Sequence, residues 1–275
     1  MFGNQPPRLD PDRVRIDIAP SGVAEVAMVR ADKMNALDAT MFESLLAAIE
    51  QLRAHAAVRA VVLHGEGRAF CAGLDKSRFG QMAEGQRSGT MGDLLTRSHG
   101  PANAAQAVAW GWRELAVPVI AAVHGVALGG GLQVALGADV RLVRPDARLS
   151  VLEIQWGLVP DMAGCVLLTE LVRADIARDL VFSGRQVDGA EAVAIGLATR
   201  LADDPLAAAR EMAGQIARRN PDAIRAGKRL LNGASPVDAG AVLMAESHEQ
   251  ARLIGSPNQA EAVRAQLEQR PPRFA

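Results

Sequence analysis

Two carboxylates and a run of glycines are the groups in this chain best suited to chemistry. Glu153 and Asp161 stand eight residues apart in the stretch from Leu152 to Gly164, each with apolar neighbours (Leu152, Ile154, Trp156, Met162). A carboxylate partly withdrawn from water has its pKa raised, which suits it to taking and returning protons. Upstream, His124-Gly125-Val126-Ala127-Leu128-Gly129-Gly130-Gly131-Leu132-Gln133 follows the apolar run Val119–Val123, itself preceded by Pro118. The run predicts a buried strand. The glycines let the backbone turn sharply with its N–H groups bare, and Leu132, Val134, Ala135 and Leu136 predict a buried helix after them. A turn at a helix N-terminus offers free N–H donors and a positive dipole end, a place for an anion or for a carbonyl oxygen that becomes one. Packing of a strand–turn–helix corner is the plain alternative. The Gly-x-x-x-Gly-Gly-Gly spacing is not the Gly-x-Gly-x-x-Gly of dinucleotide sites.

The elements that must hold these groups alternate along the chain. Val14–Ile18 and Ala24–Val29 alternate apolar and polar residues around Ser21-Gly22, predicting a hairpin. A polar loop, Arg30–Leu37, leads to a helix that Asp38 caps, with Thr40 and Glu43 as a second capping pair, and Met41, Leu45, Leu46, Ile49 and Leu52 fall on one face of it. Ala60–His64 predicts another strand, followed by a second small-residue turn, Gly65–Lys76. Ser77 to about Gly100 is polar and rich in both charges, a flap over a site or a surface insertion. A helix over Ala102–Leu115 precedes the central strand. Strands are expected at Asp139–Val143, Arg148–Val151 and Leu197–Leu201, with a helical stretch from Cys165 to about Ile195. From Asp204 on, helix follows helix, with Pro205, Pro221, Pro236 and Pro257 near the breaks. The division expected is a core over 1–200 and a helical region over 201–275.

Composition narrows the class. A 275-residue chain with 49% hydrophobic residues and 22% charged ones can bury one sizeable core. A net charge of −1 and 3% aromatics argue for neither a nucleic-acid nor a membrane partner. Two cysteines, Cys71 and Cys165, have no metal-type spacing and suit a reducing compartment, and the N-terminal residues lack the apolar core of a secretion signal. A cytoplasmic protein without a metal is expected.

Four stretches, in order, give the chain a resemblance to the enoyl-CoA hydratase/isomerase (crotonase) superfamily: Lys33-Met34-Asn35-Ala36-Leu37, Phe70-Cys71-Ala72-Gly73-Leu74-Asp75, His124–Gln133 and Glu153–Gly164. The resemblance runs from about residue 12 to 265. It implies an α/β spiral of repeated ββα units with C-terminal helices that mediate trimers or dimers of trimers. It also implies an acyl-CoA thioester substrate and no cofactor beyond the coenzyme A that the substrate carries. The backbone N–H groups of Leu74 and Gly130 would hold the thioester oxygen, which requires Gly130 to stay free of a Cβ. Lys33, Met34, Ala36, Ala72, Asp75 and Lys76 would touch the coenzyme A portion.

The resemblance leaves the reaction open. The family's hydratases use two glutamates, one where this chain has Gln133 and the other at Glu153. An amide can hold a water but cannot exchange protons. The family's dienoyl-CoA isomerases pair a glutamate with an aspartate at the spacing of Glu153 and Asp161, and carry an aspartate where Gln133 stands. The reading taken is a double-bond shift with Glu153 and Asp161 as proton carriers and Gln133 orienting substrate or water. Hydration by Glu153 with Gln133 is the alternative, and a non-catalytic acyl-CoA-binding protein the third. Asp161 as a helix cap and Glu153 as a salt-bridge partner are the structural alternatives for these two residues. His124 and His64 are expected as hydrogen-bonded residues at strand ends, Cys71 as a small core residue and Lys228 on a solvated helix face.

Overall fold

The computed structural model describes residues 8–78, 94–234, 256–258, 260, 261, 265 and 268–275. Strands β1 (Val14–Ile18) and β2 (Val23–Met28) form the antiparallel hairpin. From β2 the large sheet continues in parallel through β3 (Ala60–Gly65), β4 (Val119–Val123), β6 (Val140–Val143) and β9 (Arg200–Leu201). A small sheet pairs β5 (Val126–Leu128) with β7 (Arg148–Ser150) and β8 (Val187–Asp188). Successive passes of the chain each leave one strand in the large sheet and a short one in the small sheet: β4 is followed by β5, and β6 by β7. An isolated bridge of Cys71 to Ala127 does the same after β3. This is the expected ββα spiral.

The apolar runs of β3 and β4 are unbroken because both faces of the sheet are covered. Val61, Leu63, Val119, Ala121 and Val123 point into the main core with helix α1 (Ala39–Ala54) and helix α2 (Ala104–Glu114). The alternate residues Ala60, Val62, Ile120, Ala122 and Leu142 pack instead on Ala209 and Ala213 of a later helix (Pro205–Ala217). In α1 the buried Met41, Leu45, Leu46, Ile49 and Leu52 are those expected, each large side chain contributing about 1.5–3 kcal/mol. Asp38 is the cap, its Oδ1 accepting from Met41 N at 2.8 Å, and the Thr40–Glu43 pair is not used. Asn103 and Gln106 form a capping box for α2.

Helix α3 (Gly130–Leu136) follows the glycine turn. The helical stretch expected from Cys165 to Ile195 is instead three helices, α4 (Gly164–Leu171), α5 (Ala174–Ser183) and α6 (Gly189–Ala194), with β8 between the last two. Gly184, at φ +60°, ends α5 and frees the chain to pair with β7. The strand expected over Leu197–Leu201 is only Arg200–Leu201. Helices α7 (Pro205–Ala217) and α8 (Pro221–Gly233) each start on a proline whose missing N–H costs nothing at that position. Pro236 and most of the expected flap, 79–93, lie outside the described residues.

Candidate active site

The first site turn hangs from two neighbours. Cys71 N donates to Val126 O (3.0 Å) and Leu128 N to Cys71 O (3.0 Å), so the turn extends the small sheet beside β5. On its other side Leu37 N donates to Gly73 O (2.8 Å) and Asp75 N to Leu37 O (3.1 Å). These bonds form a one-residue parallel bridge, which leaves the N–H of Leu74 itself directed away from Leu37. Fully buried Asn35, which lies in the first of the four motif stretches, anchors the turn: its Nδ2 lies 2.9–3.2 Å from the carbonyls of Glu66, Ala69 and Phe70.

In the second turn Gly129 adopts φ +50° and its N–H donates to Ser150 O at 2.9 Å. Gly130 opens α3, so its N–H has no intrahelical acceptor. Among the described residues neither Leu74 N nor Gly130 N donates to another group. The turns touch: a Cβ on Gly73 would stand 2.4 Å from Leu128 O and 3.6 Å from Gly130 N. Helix α3 has only seven residues, so the two bare N–H groups, rather than a long helix dipole, are what the corner offers. Gly130 is the glycine expected to stay free of a Cβ. A Cβ there would meet the flexible ends of Met162 (Sδ, 2.9 Å) and Leu37 (Cδ1, 3.1 Å), whereas one on Gly131 would meet Cys71 O at 2.4 Å.

Glu153 begins a single 3-10 turn (Glu153–Trp156) directly after β7 and is 8% exposed. Its Oε1 would lie 3.4 Å from a Cβ on Gly129, which puts the carboxylate beside the bare N–H groups. Gln133, one turn into α3, reaches it: Nε2 donates to Glu153 Oε1 at 2.5 Å, while Gln133 Oε1 accepts from Met162 N (2.8 Å) and Gly164 N (3.0 Å). Two backbone donors fix which end of the amide is oxygen. Glu153 Oε2 is buried without a hydrogen-bond partner, and among the described residues Glu153 forms no ion pair. Burial raises the Glu153 pKa, and the nearby Asp161 charge adds to this against the pull of the Gln133 N–H. Burial likewise raises Asp161. Asp161 does not cap α4: the N-cap is Ala163, which receives no side-chain cap, and the Gly164 N–H goes to Gln133. Ala163 holds φ +64°, and Met34 and Asn35 hold +50° and +56°, so strained backbone flanks the site on two sides.

The remaining expected residues divide. Lys33 and Lys76 are exposed on either side of the Leu37–Leu74 bridge, Met34 and Ala72 are joined by Ala72 N to Met34 O at 2.9 Å, and Ala36 is buried. The Asp75 carboxylate is engaged internally, by Arg30 Nη1 (2.5 Å) and by Ser77 N (3.0 Å) and Oγ (2.8 Å). Burial works against its charge, but these donors outweigh it and hold its pKa at about 2. Cys71 is the small core residue expected, its thiol pushed up to about 12 by burial. His64 is buried against Glu25 Oε1 (3.0 Å), and half-exposed His124 meets Gly67 O (3.0 Å). Lys228 is not on a solvated face: it is 6% exposed, with Nζ on Trp112 O (3.2 Å), Val117 O (2.9 Å) and Asp139 Oδ2 (2.7 Å).

Two clefts lie elsewhere, one of about 1010 Å³ between α1 and α2 and one of about 570 Å³ at the ends of β2 and β3; neither includes Glu153 or Asp161. Among the described residues no group of three His, Cys, Asp or Glu is placed to hold a metal ion, and no helix is long and apolar enough to cross a membrane.

Comparison with known proteins places the geometry in a wider group. The family model described as enoyl-CoA hydratase/isomerase matches residues 19–275. The short-chain-enoyl-CoA hydratase of Clostridium acetobutylicum is 30% identical over 253 residues, covering 90% of this chain and 92% of that protein. The human mitochondrial enoyl-CoA hydratase domain-containing protein 2 is 31% identical over 260 residues, covering 92% of this chain and 85% of that protein. The crystal structure of an enoyl-CoA hydratase from Bacillus anthracis superposes with a TM-score of 0.83 at 26% identity, covering 95% of this chain and 98% of that one.

Proposed function

From membership of the enoyl-CoA hydratase/isomerase family, to which this chain belongs, we propose that it shifts the double bonds of an unsaturated acyl-CoA thioester by proton transfer. The observation that carries this reading is the wiring of Gln133. Both ends of its amide are occupied, by Glu153 on one side and by the loop that bears Asp161 on the other, which leaves Glu153 and Asp161 as the groups able to exchange protons.

In the proposed reaction the thioester oxygen sits on the N–H groups of Leu74 and Gly130. One carboxylate takes a proton from the carbon beside the thioester carbonyl. The C–H electron pair becomes a double bond to the carbonyl carbon and the carbonyl π pair moves onto that oxygen, forming an enolate, conjugated with the chain, that two preset donors stabilise. The other carboxyl, protonated at the start, gives its proton to the far end of the conjugated system. The double bonds move along the chain, the charge leaves the oxygen, and composition is unchanged. Burial raises the pKa of both carboxyls and the Asp161 charge raises that of Glu153 further, the direction this exchange asks of its protonated member. Exposed Lys33 and Lys76 would meet the coenzyme A phosphates, with Met34, Ala36, Ala72 and the Asp75 turn forming the wall beneath. Coenzyme A arrives on the substrate, and no other cofactor enters. Assembly into trimers or dimers of trimers belongs to the same proposal, for which exposed Ile154, Trp156 and Val159 offer apolar surface.

A second reading, addition of water to a 2-trans-enoyl-CoA, is favoured by the partnerless Glu153 Oε2 and by the hydratase names of the relatives. Incubation with a 3,5-dienoyl-CoA and a 2-trans-enoyl-CoA in D2O, read by mass spectrometry, separates them. A moved double bond without gain of water supports the proton shuttle. Gain of one water by the enoyl ester supports hydration. Saturable binding without conversion of either would point to a binding protein.

A further inference from the structure

We infer that Arg30 is a positioning residue for the Leu74 N–H, its guanidinium clamping the Leu37–Leu74 bridge from both sides. The inference rests on the proposed role of that N–H. Arg30 lies between β2 and the 31–33 turn, and its side chain is 15% exposed. One nitrogen, Nη1, donates to Ala36 O at 3.0 Å and to Asp75 Oδ2 at 2.5 Å. Ala36 precedes Leu37 and Asp75 follows Leu74, so one charged group joins the two strands of the bridge at its opposite ends.

The other ends are held too. Asp75 Oδ1 takes both the N–H and the hydroxyl of Ser77, which leaves the carboxylate little freedom to turn. Arg30 Nη1 is also 3.5 Å from Asp38 Oδ2, and Asp38 both caps α1 and pairs with Arg13 Nη2 at 2.9 Å. The result is an alternating chain, Arg13–Asp38–Arg30–Asp75, tying the N-terminus of α1 to the turn. Such a tie has a purpose here, because the loop between Arg30 and Leu37 carries Met34 and Asn35 in the left-handed region, a conformation that neighbours must hold in place. A backbone N–H has no side chain through which to be aimed. Arg30 is the group that aims it.

The test compares wild type with Arg30→Gln, Arg30→Lys, Asp75→Asn, the Arg30→Gln/Asp75→Asn double variant and Arg53→Gln, whose exposed pairs with Glu50 and Glu114 make it a control. Three readouts are taken: kcat and KM for acyl-CoA conversion, thermal unfolding, and the absorption of a bound 2,4-dienoyl-CoA, which moves to longer wavelength as its carbonyl is polarised. Arg30→Gln and Asp75→Asn should each lower kcat roughly ten- to a hundredfold, with a much smaller change in KM, and reduce the absorption shift. The double variant should be no worse than the poorer single one, since both remove one interaction. Arg30→Lys should recover part of the loss, because both contacts run through one nitrogen. If folded Arg30→Gln keeps the kcat and absorption shift of wild type, or if the two substitutions are additive, the inference is overturned while the site reading stands. If wild type itself gives no absorption shift with the bound ester, the role of the Leu74 N–H fails and the inference with it.

Discussion

Gln133 and Glu153 share a 2.5 Å hydrogen bond in the interior, and the same Gln133 side chain holds the loop of Asp161 through the N–H groups of Met162 and Gly164. The amide therefore fixes the relative position of two carboxylates that never touch it as a base would. It also occupies one oxygen of Glu153 and leaves the other without a partner.

Replacing that amide with a second acid should move the pH dependence. In Gln133→Glu the new carboxyl faces Glu153 Oε1 where an N–H stood. Like charge and the lost donor both disfavour ionised Glu153, raising its pKa further. Activity that needs ionised Glu153 should rise with pH through a limb displaced upward from that of wild type. A pH–kcat profile checks this, and a limb displaced downward would contradict it.

Neutralising either carboxylate should stabilise the fold at neutral pH. Burial raises both folded-state pKa values above their unfolded ones, so the native state binds more protons between the two and wild type loses stability as pH rises through that window. Glu153→Gln and Asp161→Asn should unfold at higher temperature than wild type at pH 7. The difference should shrink at low pH, where the carboxyls are protonated in both states. Calorimetry at the two pH values measures it.

The glycines should rank by what their Cβ would meet. Gly131→Ala drives a methyl into Cys71 O and Sγ, and should cost about 1–3 kcal/mol or more, as overpacking of a tight core does. Gly130→Ala meets only the ends of Met162 and Leu37 and should fold with a smaller loss. Chemical denaturation of the pair would show the order.

Lys228→Met should be among the more damaging changes outside the site. It leaves Asp139, Trp112 O and Val117 O without their cation. Because Asp139 keeps 27% side-chain exposure, the loss should fall near or below the lower end of the 3–5 kcal/mol range for broken buried pairs, about 2–3 kcal/mol. Urea denaturation tests it.

What could be read from the sequence follows from how local each signal is. The β3 and β4 runs, the cap at Asp38 and the glycine turns are written in neighbouring residues. The place of Glu153 and Asp161 was marked by carboxylates in apolar company. The break at Gly184 carried a signal, a glycine inside a helical pattern, that outweighs the apolar periodicity around it. The anchoring by Asn35 and the Arg30–Asp75 clamp carry none, because their partners stand 31–45 residues away in the chain. Lys228 reads as a solvated charge until the fold brings two carbonyls and Asp139 around it. The two bonds that Gln133 Oε1 accepts likewise depend on Met162 and Gly164 arriving from another loop.

The most direct measurement is the rate at which wild type and Asp161→Asn convert a 3,5-dienoyl-CoA, followed by the absorption of the conjugated 2,4-dienoyl product. A two-carboxylate shuttle predicts conversion by wild type and a fall of about 10²–10⁴-fold in the variant, the usual contribution of a positioned acid or base. Equal rates for the two proteins would remove Asp161 from the chemistry and contradict the account.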